Sequence, residues 1–130
     1  MTLEDRRPID SVASDRDPVM EPLNPASFQV FVGRQDDRTH IIVIGDLDLA
    51  SAPSLAHELL AVATENEGDV VLDIGLLTFI DSTGLSLFVS QHKRLVAQGR
   101  MLTIYGPTPS ARRLFEVSGL TDVLHIEPSS

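Results

Sequence analysis

From Phe28 onward the chain switches between two hydrophobic periods, and before it there is neither. Phe28, Val30 and Val32 alternate with Gln29 and Phe31, the pattern of an edge strand. Residues 33–38, with Asp36-Asp37 among them, read as a polar turn. Residues 39–44 are strongly β-branched, so the two runs predict an antiparallel hairpin. The period then lengthens to 3.6. A helix opens at Ser51 or Ala52 with Pro53 in its first turn, where a missing N–H costs little. It keeps Leu55, Leu59 and Val62 on its core face and ends near Glu67-Gly68.

Val70-Val71-Leu72-Asp73-Ile74 is short, branched and apolar, as for a strand covered on both faces, and a loop over 75–81 follows. After Gly84, residues Leu85, Phe88, Val89, Leu95 and Val96 mark a helical stripe running to Gln98-Gly99. A strand over 100–105 comes next. Thr108 and Pro109 are the cap and first position of a last helix, with Ala111, Leu114, Phe115 and Ser118 inward and Gly119 as its stop. A final edge strand is expected over 123–126.

This order, β-β-α-β-α-β-α-β, predicts an α/β fold. Its sheet is mixed, an antiparallel edge strand beside a parallel β-α-β-α-β run with right-handed crossovers, flanked by three to four helices. Residues 1–26 are set apart. Pro8, Pro18, Pro22 and Pro25 punctuate a stretch rich in Asp, Glu and Arg with no apolar periodicity, which reads as a flexible tail or as a segment that docks on a partner. The folded domain is expected over 27–130.

Composition narrows the function classes. A chain of 130 residues holds one core, and 42% apolar with 22% charged residues is ordinary for a globular protein. The absence of cysteine excludes disulfides, thiolate metal sites and cysteine nucleophiles. His40, His57, His92 and His125 show no metal-ligand spacing, so neither a metal nor a cofactor is expected. A net charge of −9 argues against nucleic acid as partner. No run approaches a membrane span or a signal peptide, so a cytoplasmic location is the expectation.

The chemistry concentrates at Asp81-Ser82-Thr83-Gly84-Leu85, between a strand and a helix. A hydroxyl at a helix N-terminus meets unpaired backbone N–H groups and the positive end of the dipole, a setting suited to a phosphate. Simple N-capping explains the same residues. Asp81 has two roles open to it, orienting the Ser82 hydroxyl or capping the helix, while Thr83 reads as a cap beside Ser82. Gly84 reads as a place where another backbone approaches closely. Asp46 and Asp48 leave the second strand at its C-terminal end, the edge where sites collect, and either partner contact or loop ordering suits them.

Asp81-Ser82-Thr83-Gly84-Leu85 resembles the D-S-[ST]-G-L signature of the STAS domain, especially its anti-sigma factor antagonist branch. Gly45-Asp46-Leu47-Asp48 followed by Ala52-Pro53 resembles that family's G-x-L-D…A-P stretch. The resemblance runs from about Phe28 to Ile126 and implies a non-enzymatic module under phosphorylation control. On it, Ser82 matches the serine that a partner kinase phosphorylates, and Asp46, Asp48, Asp81, Ser82, Thr83 and Gly84 form the partner-binding rim. The implied partners are an anti-sigma factor that is also a serine kinase of the histidine-kinase-like ATPase fold, and a serine phosphatase. Unphosphorylated protein binds the anti-sigma factor and frees the sigma factor; the phosphorylated form lets go. The resemblance also admits a scaffold subunit of a larger stress-signalling assembly.

Catalytic readings fit less well. A serine hydrolase elbow needs G-x-S-x-G, but the residues are Ile80-Asp81-Ser82-Thr83-Gly84. No Gly-Lys-Ser/Thr run supports a P-loop. A receiver domain would make Asp73 the phosphoacceptor, yet the later strands carry no lysine to steady a phosphate.

Overall fold

In the computed structural model, which describes residues 28–129, strands β1 (Gln29–Gln35) and β2 (Arg38–Leu47) form the expected hairpin. The turn is shorter than expected, only Asp36-Asp37, and both strands extend beyond their expected ends. Asp36 takes a left-handed φ of 58°, which Asp tolerates better than most residues. The tail expected over 1–26 lies outside the described residues.

Helix α1 (Ala52–Glu65) leads to β3 (Val70–Ile80), which lies parallel to β2. Helix α2 (Ser82–Ala97) leads to β4 (Leu102–Tyr105), then α3 (Pro109–Val117), a 3₁₀ turn (Leu120–Asp122) and β5 (His125–Glu127). Among the described residues the five strands lie in sequential order, with only the β1–β2 pair antiparallel. Successive right-handed crossovers that step in one direction place their helices on the same side of the sheet. Burial follows suit. Thr39, Ile41, Val43 and Leu47 of β2 are buried, while His40, Ile42, Ile44 and Asp46 between them are not.

The expectation that the central strand is covered on both faces is therefore corrected for the described residues: on its second face Val71 and Asp73 are only half-buried and Leu76 is 58% exposed. Phe31, Ile42 and Asp73 are register partners on that face, and Phe31 is 52% exposed. The expected loop over 75–81 is corrected too, because β3 continues to Ile80. Two register shifts against β2 explain the difference. Buried positions in β3 run Val70, Leu72, Ile74, then Leu77 and Ile80, so the phase slips by one residue at each irregularity.

The helices keep most of their expected core faces. Leu55, Leu59 and Val62 of α1 are buried, as are Leu85, Phe88 and Leu95 of α2. Val96 is exposed, and Gln91 is buried in its stead, donating from Nε2 to the Leu59 carbonyl at 3.2 Å. In α3, Thr108 caps as expected, Ala111 and Phe115 are buried, and Ser118 is exposed instead of inward. Phe88 and Phe115 meet at 6.2 Å between ring centres, joining α2 to α3. Helix α1 stops at Asn66, before the expected Gly68, whose left-handed backbone is pressed against the Asp37 carbonyl.

Candidate functional site

The C-terminal ends of β2 and β3 meet as neighbours, Leu47 opposite Ile80. The Asp81 N–H donates to the Leu47 carbonyl at 3.2 Å. Asp46 and Asp48, either side of Leu47, therefore share one rim with Asp81.

Asp81 is the N-cap of α2. Its backbone is extended and its Oδ1 accepts from the Thr83 N–H at 2.9 Å and the Gly84 N–H at 3.2 Å. Of the two roles open to it, the carboxylate takes the cap, and Thr83 lies inside the first turn. Ser82 is the first helical residue and its side chain is exposed. Thr83 is half-buried. Gly84 is buried, and a Cβ built on it would lie 2.8 Å from both Ile80 Cγ1 and Leu47 Cδ2. The close approach at Gly84 is thus to side chains of the chain's own sheet, and it sets the first turn of α2 hard against the rim.

Asp48 orders the loop that enters α1. Its Oδ1 accepts from the Ala50 N–H at 3.0 Å and the Ser51 N–H at 3.1 Å. The other oxygen is left for solvent or a partner. Asp46 is exposed, and its Oδ1 accepts from the Thr78 hydroxyl at 2.5 Å, tying the two strand ends together. Asp73, the acceptor in a receiver-type reading, lies inside β3 instead, with Oδ1 accepting from the Gly75 N–H.

Two supporting residues escape sequence reasoning. Ser51 is expected only as a helix opener, yet its hydroxyl turns back into the protein. It accepts from the Asp48 N–H at 3.0 Å and donates to the Asp46 carbonyl at 2.7 Å, at 1% exposure. Thr78 falls in the expected loop. The available signal was Asp48 three residues before Ser51, the spacing of a side-chain-ordered turn.

Grooves flank Ser82. One of about 410 Å³ lies between α2 and the end of α3, lined by Ser82, Leu85, Ser86, Val89 and Leu120. A second, of about 360 Å³, lies between the end of β3 and α3, with Phe79, Arg113 and Val117 on its walls. Val117, on the wall of the second groove, is 76% exposed. Among the described residues, no cluster of His, Cys, Asp or Glu could hold a metal ion, and no helix is long and apolar enough to cross a membrane.

Comparison with known proteins agrees with this geometry. The family model described as "Mlab, STAS domain" matches residues 30–126. An anti-sigma-B factor antagonist of Staphylococcus epidermidis is 35% identical over 91 residues, 70% of this chain and 84% of that protein. The crystal structure of an anti-sigma factor antagonist from Mycobacterium paratuberculosis gives a TM-score of 0.74 at 24% identity, covering 81% of this chain and 89% of the other. The Bacillus cell fate determinant SpoIIAA in its phosphorylated form gives 0.61 at 21% identity, covering 77% and 90%. The two structures share the fold; the family model and the Staphylococcus relative carry the kinship. The chain belongs to the STAS-domain family, in its anti-sigma factor antagonist branch.

Proposed function

We propose that this protein is an anti-sigma factor antagonist switched by phosphorylation of Ser82. In its unmodified form it binds an anti-sigma factor that is also a serine kinase of the histidine-kinase-like ATPase fold, and the sigma factor is released. The kinase spends ATP, with magnesium, on the Ser82 hydroxyl, and the complex separates. A serine phosphatase restores the hydroxyl. The protein itself is substrate and ligand, not catalyst.

The observation that carries this reading is the placement of Ser82. Its exposed hydroxyl stands at the start of α2, on a rim that already holds Asp46, Asp48 and Asp81. A phosphate adds roughly 1.5 to 2 negative charges there. Disrupting a buried polar contact in this way costs about 2–5 kcal/mol, or roughly 30-fold to several-thousand-fold in affinity.

Intact mass after incubation with candidate anti-sigma kinases and Mg-ATP tests it. One phosphate gained by the wild type and none by Ser82→Ala is the expected result. Transfer to neither, from a kinase that binds the protein, would overturn the switch.

A scaffold role is the second reading, and the open sheet face favours it. Phe31, Leu76 and Phe79 are each more than half exposed, at 52%, 58% and 52%. A mass in solution far above one or two chains at working concentration would move this reading ahead.

A further inference from the structure

A helix start is an anion site only while its N–H groups are free. Those of α2 are not. The Thr83 and Gly84 N–H groups both donate to Asp81 Oδ1, and the Leu85 N–H donates to the Asp81 carbonyl at 3.1 Å. Asp81 is itself fixed, because its N–H is held by the Leu47 carbonyl across the β2–β3 pair. Only the N–H of Ser82 remains in the first turn. A phosphate on Ser82 would have to evict a half-buried carboxylate to reach the two amides, and would leave that carboxylate without its donors beside a new dianion.

We infer that Asp81 is a positioning residue that keeps the Thr83 and Gly84 amides occupied, so that phosphoserine 82 projects into solvent instead of docking on them. This rests on the reading of Ser82 as the phosphoacceptor. It names how the modification acts: the first turn keeps its cap, and the phosphate stays outside it. A phosphate bound to the amides would behave differently. It would be partly neutralised by the dipole, shielded from a phosphatase, and would pull on the packing of Gly84 against Leu47 and Ile80.

The test needs no kinase. Phosphoserine is incorporated genetically at position 82 in ¹⁵N-labelled full-length protein, and the Thr83 and Gly84 amide resonances are compared with those of the unmodified protein. Both are expected to keep their positions in the wild type and in Asp81→Asn, whose side-chain oxygen caps equally well. In Asp81→Ala both are expected to move downfield as the phosphate takes the freed amides. The same response in wild type and Asp81→Ala would overturn the inference. Should Asp81→Ala not fold, the wild type decides, since a downfield move of both amides there overturns it and none supports it. Failure of the phosphorylation switch itself shows separately, as absence of phosphate transfer to the unmodified protein.

Discussion

Gly84 stands so close to Leu47 that a side chain at residue 84 would enter the van der Waals shell of Leu47 Cγ, at 2.9 Å. Leu47 is fully buried, and Ile80 closes the other side. The contact fixes where the first turn of α2 meets the end of β2, and so where Ser82 stands relative to Asp46 and Asp48.

Gly84→Ala tests that contact. Alanine improves helix propensity by up to about 1 kcal/mol, while overpacking a filled core costs about 1–3 kcal/mol. Leu47 and Ile80 have little room to retreat, so overpacking wins. The expected result is a net loss of about 1–2 kcal/mol and a fall in Tm of roughly 5–15 °C, read by thermal unfolding. An unchanged or higher Tm would show that the first turn is not wedged.

The buried hydroxyl of Ser51 gives a second expectation. Ser51→Ala removes both the acceptor of the Asp48 N–H and the donor to the Asp46 carbonyl, leaving two groups unpaired. The cost is about 1–3 kcal/mol. In urea, the unfolding midpoint falls while its slope is retained. Hydrogen exchange at the Asp48 amide quickens beyond what the global loss accounts for.

The hairpin, the three helices and the order of strands were legible because each element carries a single, uninterrupted hydrophobic period. The end of β3 was not. Its alternation from Val70 to Ile74 resumes after Gly75 out of phase, then slips again at Thr78, and a broken period reads as loop. The open face was hidden for a related reason. Val71, Ile42 and Ile44 are apolar whether or not anything covers them, so composition alone suggests two covered faces. Within the rim, the motif residues could be named from sequence, but not the division of labour among them. Whether Asp81 caps the helix or orients Ser82 depends on a backbone angle, and Ser51 as the support of Asp46 and Asp48 depends on a hydroxyl turning inward. Neither leaves a periodic signal.

Charge at residue 82 should govern partner affinity. Ser82→Ala is expected to bind the anti-sigma factor about as tightly as the unmodified wild type, because only a small exposed hydroxyl is lost. Ser82→Asp supplies one charge where a phosphate supplies about two, so it should weaken binding by roughly 10-fold or more, and less at high salt. Titration calorimetry at two ionic strengths reads both. Weakening by Ser82→Ala equal to that by Ser82→Asp would show that the hydroxyl contact matters and not the charge.

Asp48 has two roles open to it, loop ordering and charge contact, and two substitutions separate them. Its Oδ1 holds the Ala50 and Ser51 amides, a function that asparagine's carbonyl oxygen reproduces and alanine does not. Asp48→Ala should therefore lose about 1 kcal/mol of stability, comparable with the loss of a side-chain cap, whereas Asp48→Asn should lose little. If the second carboxylate oxygen meets a guanidinium on the anti-sigma factor, Asp48→Asn should still weaken binding, by about 10-fold or more, because the charge-assisted pair is gone while the loop stays ordered. Stability and affinity measured side by side on the two variants give the answer. Full affinity in Asp48→Asn, with loss only in Asp48→Ala, would assign Asp48 to the loop alone and leave Asp46 as the exposed carboxylate of the rim.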